Sequence, residues 1–291
     1  MNVIVTGACG QLGTELRNLS AGGPDKYVFT DIVRLPEEGV ELLDITDARA
    51  VEELVTREKA DVIVNCAAYT NVDKAEDDPQ GADLLNRAAV ANLARCAAKT
   101  GAVLIHISTD YVFGGDARVP YREDDPKNPL GVYGRTKLAG ESEVEASGCK
   151  AIVIRTSWLY SPYGKNFVKT MTALMSSRES VGVVADQTGS PTYAADLAAA
   201  IVDIIEGRKL IHTGIYHYSN QGVVSWFDFA REIARQNGSS CKVLPLRSSE
   251  FPSKVARPHY SVLDKSKIQE VFGVDVPYWK DSLAQCIERL K

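Results

Sequence analysis

Five short runs constrain the fold of this chain more than any other feature: NVIVT (2–6), YVFTD (27–31), DVIVN (61–65), AVLIHIS (102–108) and AIVIRTS (151–157). Each is too continuously apolar for a strand with one wet face, so each reads as a parallel strand covered on both sides. Helical patterns lie between them. One opens with Asp47 as its N-cap, an alanine-rich one covers Gln80 to Lys99, and a third covers Tyr133 to Ala146. The alternation predicts an α/β fold, a Rossmann-type doubly wound parallel sheet. Thr109 to Val132, rich in Gly, Pro, Asp and Asn, reads as a long loop over the top of that sheet. After residue 160 the alternation weakens into helices over 164–177, 193–206, 225–236 and 279–290, with short strands such as IYHYS (215–219).

Behind the first run, VIVTGACGQLGTEL puts Gly7, Gly10 and Gly13 ahead of a helix that starts near Gln11. A strand, a side-chain-free turn and a helix N-terminus with free N–H groups are what a pyrophosphate requires. The spacing is G-x-x-G-x-x-G rather than G-x-G-x-x-G, and a tight turn alone would also use three glycines. Asp31 closes the second run eighteen residues after Gly13, where a carboxylate accepts from a ribose 2′-hydroxyl and favours NADH. Arg34, three residues on, suits a 2′-phosphate, which leaves NADPH open. Asp44-Ile45 and Ala67-Ala68-Tyr69 end the next two strand regions on the same sheet edge, placed to frame adenine and ribose.

YGRTK sets Tyr133 and Lys137 four residues apart, on one face at the start of a helix. Adding hydride to a ketone also requires a proton on the oxygen, and a phenol with an ordinary pKa near 10 is poorly matched to that task. A neighbouring ammonium stabilises the phenolate and lowers that value. Lys137 is expected to do this while binding the nicotinamide ribose. HISTDYVFGG (106–115) offers Ser108 and Thr109 as a hydroxyl beside the carbonyl, and Thr109 is the better placed.

The formal charge of −5 leaves no basic footprint for nucleic acid. Six cysteines stand alone, with no C-x-x-C pair and no His/Cys cluster at metal spacing. No run of eighteen apolar residues suggests a membrane span. These features point to a cytoplasmic protein with reduced thiols, no Cys/His metal site, no nucleic-acid partner and no membrane association.

As a set, TGACGQLG, STDYVFGG and YGRTK resemble the extended short-chain dehydrogenase/reductases. Within them the chain is similar to reductases of dTDP-linked 4-keto-6-deoxy sugars, through NCAAYTNVDKAEDD (65–78), RTSWLYSPYGKNFV (155–168), DQTGSPTYAADLA (186–198) and ARPHYSVLDKSK (256–267). The resemblance implies a dTDP-sugar substrate reduced at C4 with NADPH or NADH. Tyr133 then protonates the oxygen, Lys137 tunes it and Thr109 polarises the ketone. It further implies cofactor contacts at Gly10, Gln11, Leu12, Asp31, Asp44, Ile45, Ala68, Tyr69 and Thr70, with Thr109, Asp110 and Trp158 facing the sugar. A tryptophan beyond a core strand is equally a packing residue, and Arg257 suits either a diphosphate or a surface ion pair. Residues 1–160 are thus expected to form the cofactor-binding, catalytic domain, and 161–291 a mainly substrate-binding region interleaved with it.

Some relatives form Mg2+-dependent homodimers through carboxylates. Glu15 and Asp196 stand at matching positions here, a third partner does not, and both metal and dimer stay open. Tyr69 replaces a histidine frequent in that group. Nucleotide-sugar 4,6-dehydratases and 4-epimerases share the fold, but dehydratases follow the threonine with Asp-Glu, whereas Asp110 is followed by Tyr111. A non-catalytic relative, the regulatory subunit of methionine adenosyltransferase, is the other alternative, and joint retention of Thr109, Tyr133 and Lys137 argues against it.

Overall fold

The structure, a computed structural model, describes every residue except Pro252. Its first half runs β1 (Asn2–Thr6), α1 (Gln11–Ser20), β2 (Lys26–Asp31), β3 (Val40–Leu42), α2 (Ala48–Glu58), β4 (Val62–Asn65), α3 (Val72–Asp77), α4 (Pro79–Asp83), α5 (Ala89–Thr100), β5 (Val103–Thr109), α6 (Val132–Ser147) and β6 (Ala151–Thr156). The strands assemble in the order β3-β2-β1-β4-β5-β6, and a strand from the second half, Gly214–His217, completes the sheet beside β6. Every pairing is parallel. The chain leaves β1 toward one edge and later crosses to β4 on its other side. The carboxyl ends of β1 and β4 therefore flank the crevice where ligands of such sheets bind.

Both faces are covered, as the continuous apolar runs demand. Along β1, Val3 and Val5 point into a layer with Leu12 and Leu16 of α1, while Ile4 points into the opposite layer with Leu54 of α2 and Leu93 of α5. Val62, Ile63 and Val64 of β4 alternate in the same way. Asp47 caps α2 through its carboxylate, which accepts from the Arg49 and Ala50 amides.

The second half contributes α7 (Phe167–Ser177), α8 (Ala194–Glu206), α9 (Trp226–Gln236), α10 (Ser266–Phe272) and α11 (Trp279–Glu288). The second half returns to the sheet of the first. Leu197, Ile201, Ile204 and Ile205 of α8, with Ile268 and Phe272 of α10, cover the same sheet face as α1. A smaller lobe forms around Tyr160, Phe229 and Trp279, bordered by the parallel pair Ser180–Val184 and Lys242–Leu246.

Two elements differ from expectation. β3 has three residues, two of them exposed, too short to show a period. The Gln80–Lys99 helix is interrupted by a π turn at Leu84–Ala88 and preceded by α3. The turn brings Asn86, fully buried, against the loop after β4, where its side chain pairs with the Tyr69 amide and carbonyl and with the Thr136 hydroxyl. Irregular turns of this kind concentrate at functional sites.

Candidate active site

Close approach explains the glycines. Gly7 has φ +68, and a Cβ there would lie 2.6 Å from the Ala67 nitrogen at the end of β4. A Cβ on Gly13 would lie 2.3 Å from the Gly7 oxygen. The turn is thereby pressed against β4 and the first turn of α1, and no side chain caps that helix. Its leading amides, those of Gln11 and Leu12, are left for an external acceptor. The Gln11 side chain accepts from Ser161 and Asn166 at 3.0 and 2.9 Å, and Leu12 is buried in the core. A diphosphate fits this cradle, so Gly7, Gly10 and Gly13 with these amides are the residues that would hold one.

Around the crevice, Asp31 accepts from the Cys9 amide at 2.9 Å, tying β2 to the turn. Asp44 is exposed and closes a local turn on Thr46. The Ile45 side chain is buried, while its carbonyl and that of Thr46 are held by Asn92. Ala67 donates its amide to Asn65, Ala68 and Tyr69 are half-buried, and Thr70 is exposed. Arg34 is exposed as well. Among these, the Tyr69 hydroxyl has no partner.

Thr109 ends β5, Asp110 begins a single 3-10 turn, and Tyr133 and Lys137 stand one turn apart on α6. Helix α6 is brought close by Gly134, where a Cβ would lie 2.3 Å from the Tyr111 carbonyl. The Tyr133 ring is half-buried and packs edge-on against Tyr111 at 5.5 Å. Burial pushes the Tyr133 phenol up to about 12, the Thr109 hydroxyl beside it pulls the other way, and Asp110 pushes it further up. Lys137 is buried one turn further along the helix. Its ammonium turns toward β5, donating to the Ile107 carbonyl at 2.6 Å and lying 3.5 Å from His106 Nε2. Burial brings Lys137 down to about 8, with Glu141 and Cys66 opposing.

On the sugar side, Trp158 has φ +48, a left-handed conformation that costs a bulky residue about 1–3 kcal/mol. Its ring stacks on Trp226 with centroids 3.5 Å apart and lies against Gly189, so one of its surfaces is a packing surface. Arg257 forms a 3.1 Å ion pair with Asp73 of α3, yet its Nε and Asp73 Oδ1 are buried without partners. Glu15 and Asp196 sit in separate hydrogen-bond sets. Arg289 takes both oxygens of Glu15 at 2.9 and 3.0 Å, while Asn220 and Ser282 hold Asp196. No group of three or more His, Cys, Asp or Glu residues that could hold a metal ion is found among the described residues.

Several supporting residues escaped the sequence reading. Asn65 accepts from Thr6 and donates to His106 Nδ1 at 3.0 Å, which fixes the ring that Lys137 approaches. Glu76 of α3 accepts from the Val132 amide at 2.6 Å and so caps α6. The available signal was a polar residue inside an apolar run: His106 in AVLIHIS, Asn65 closing DVIVN, Asn86 in the alanine-rich helix. All three are essentially inaccessible, and buried polar groups are placed by their partners.

The whole chain, residues 1–291, matches the family model described as the RmlD substrate binding domain. It is 40% identical over 289 residues to the dTDP-4-dehydrorhamnose reductase of Mycolicibacterium smegmatis, covering 98% of this chain and 84% of that one. The crystal structure of a dTDP-4-dehydrorhamnose reductase from Clostridium acetobutylicum superposes with a TM-score of 0.92 at 40% identity, covering 100% of this chain and 99% of that one. The enzyme of that name from Bacillus anthracis, solved in complex with NADP, gives 0.87 at 38% identity, with 99% of each chain covered. Sheet, glycine turn and Tyr-Lys pair define a Rossmann-type NAD(P)-dependent oxidoreductase. More narrowly, the chain belongs to the RmlD family of dTDP-4-dehydrorhamnose reductases.

Proposed function

We propose that this enzyme reduces the C4 ketone of dTDP-4-dehydro-L-rhamnose to dTDP-L-rhamnose, with Tyr133 as proton donor. When bound, the reduced nicotinamide supplies the hydride to C4. As charge grows on the C4 oxygen, Tyr133 passes its phenolic proton to it, converting carbonyl to alcohol, and later recovers a proton from solvent. The observation that carries this reading is the placing of the Tyr133 phenol beside the Thr109 hydroxyl, at the carboxyl end of β5 and on the same sheet edge as the glycine turn. Reduction requires the neutral phenol, and burial keeps it neutral until an alkoxide, a far stronger base, appears. Thr109 polarises the ketone, Lys137 holds the nicotinamide ribose with its remaining N–H groups, and Arg257, with its unpaired Nε, meets the substrate diphosphate. The Bacillus anthracis complex supports NADPH as a cofactor; exposed Arg34 favours it and Asp31 favours NADH.

The test is steady-state turnover of dTDP-4-dehydro-L-rhamnose with NADPH and NADH side by side, followed by loss of nicotinamide absorbance. Stoichiometric appearance of dTDP-L-rhamnose is expected with at least one of them. Absence of oxidation with both refutes the reading.

A further inference from the structure

We propose that Asp110 is a positioning residue carried as the neutral carboxylic acid, whose O–H turns the Thr109 hydroxyl into a donor aimed at the substrate ketone. The inference rests on the role given to Thr109 above and adds a condition to it. Thr109 has one proton and two lone pairs. One lone pair takes the Tyr111 amide at 3.2 Å, and Asp110 Oδ1 stands 3.0 Å from the same oxygen. If Asp110 is a carboxylate, it accepts only, so the single Thr109 proton points away from the site and cannot polarise a ketone. If it is an acid, its O–H fills the second lone pair, and the Thr109 proton is free to point at the substrate.

The surroundings favour the acid. Asp110 is 2% exposed, and its Oδ2 has no hydrogen-bond partner. No lysine or arginine pairs with it among the described residues. The groups facing it are Thr109 and the backbone amides of its own turn, Ser261 from the C-terminal segment, Tyr133 of α6 and the neighbouring Tyr111. Arg257 and Asp73 act on Tyr111 with opposite charge. Burial raises the Asp110 carboxyl to about 7, against the pull of the Ser261 and Thr109 hydroxyls. The acid is the active form, so activity is present below that value and falls as pH rises through it.

The experiment compares pH profiles of kcat/KM for the wild type, Asp110→Asn and Thr109→Val, alongside an infrared titration of the carboxylic-acid C=O stretch. The wild type should lose activity about tenfold per pH unit above neutrality. Asp110→Asn should lack this limb, because an amide donates to Thr109 at every pH, and should lack the infrared band that titrates with it. Should the amide variant not fold, Asp110→Ala removes the acceptor, frees the Thr109 proton and should likewise abolish the limb. Persistence of the wild-type limb in the Asp110 variant assigns it to Lys137, whose ammonium titrates near 8, and overturns the proposal. Absence of any titrating carboxylic-acid band in the wild type overturns it too. If Thr109→Val keeps full kcat/KM, the fault lies in the role given to Thr109 instead.

Discussion

Tyr133, Lys137 and Glu141 follow one another at four-residue intervals along one face of α6, yet the two ends of that row live in opposite circumstances. At the Glu141 end every charge is paired. Its carboxylate receives Arg155 at 2.9 and 2.7 Å and Ser108 at 2.5 Å, and Arg155, with no exposed surface, spends a further nitrogen on the Glu123 carbonyl. His217, driven down to about 3 by burial and by Arg155, stays neutral 3.4 Å from that guanidinium. At the Tyr133 end, Asp110 Oδ2, Arg257 Nε and Asp73 Oδ1 are buried without partners. A satisfied buried network fixes strands, helix and loop in one arrangement. Orphaned buried polar groups call for a partner, and at this end the proposed substrate would supply one.

Chemistry should break first at the open end. Tyr133→Phe deletes one hydroxyl that makes no structural hydrogen bond. It should lower kcat by about 10² to 10⁴, with NADPH affinity and melting temperature nearly unchanged. A variant that turns over normally would mean the proton comes from elsewhere. Stability should break at the closed end. Arg155→Met leaves the Glu141 carboxylate buried and unpaired, which costs about 3–5 kcal/mol. Urea unfolding measures it, and Arg155→Met combined with Glu141→Leu should recover most of the loss. Equal stabilities for single and double variants would show that the pair does not act as a unit.

The same contrast explains what could be read before the fold was known. Apolar runs announced five strands of the sheet because burial on two faces leaves no polar alternation to confuse the period. The glycine turn and the Tyr-Lys interval were legible because their geometry is local to a few residues. His106, Asn86 and Glu76 were not, because each is defined by a partner 17 to 56 positions away: His106 by Asn65, Asn86 by Tyr69, Glu76 by Val132. The direction of the Lys137 ammonium was not legible for a similar reason. Sequence spacing places a lysine on the face of a tyrosine but says nothing of the β5 carbonyl that competes for it. The interleaving of the halves is also a long-range matter, since Gly214–His217 joins β6 only through register.

The smallest expected effect tests whether the two ends of α6 communicate. Gly131 precedes the helix without a side-chain cap, and Glu76 supplies the missing acceptor from α3, with its negative charge at the positive end of the helix dipole. Glu76→Ala should cost about 0.5–2 kcal/mol, a fall in melting temperature of a few degrees. Val132 adjoins Tyr133, so slackening the cap should also reduce kcat severalfold, with KM little changed. Glu76→Gln keeps an acceptor oxygen and should restore kcat while recovering only part of the stability, since the dipole contribution is lost. If alanine lowers the melting temperature but leaves kcat intact, the Arg155–Glu141 cluster alone holds Tyr133 in place. The open end of the helix then depends on the closed one, and α3 serves only the fold.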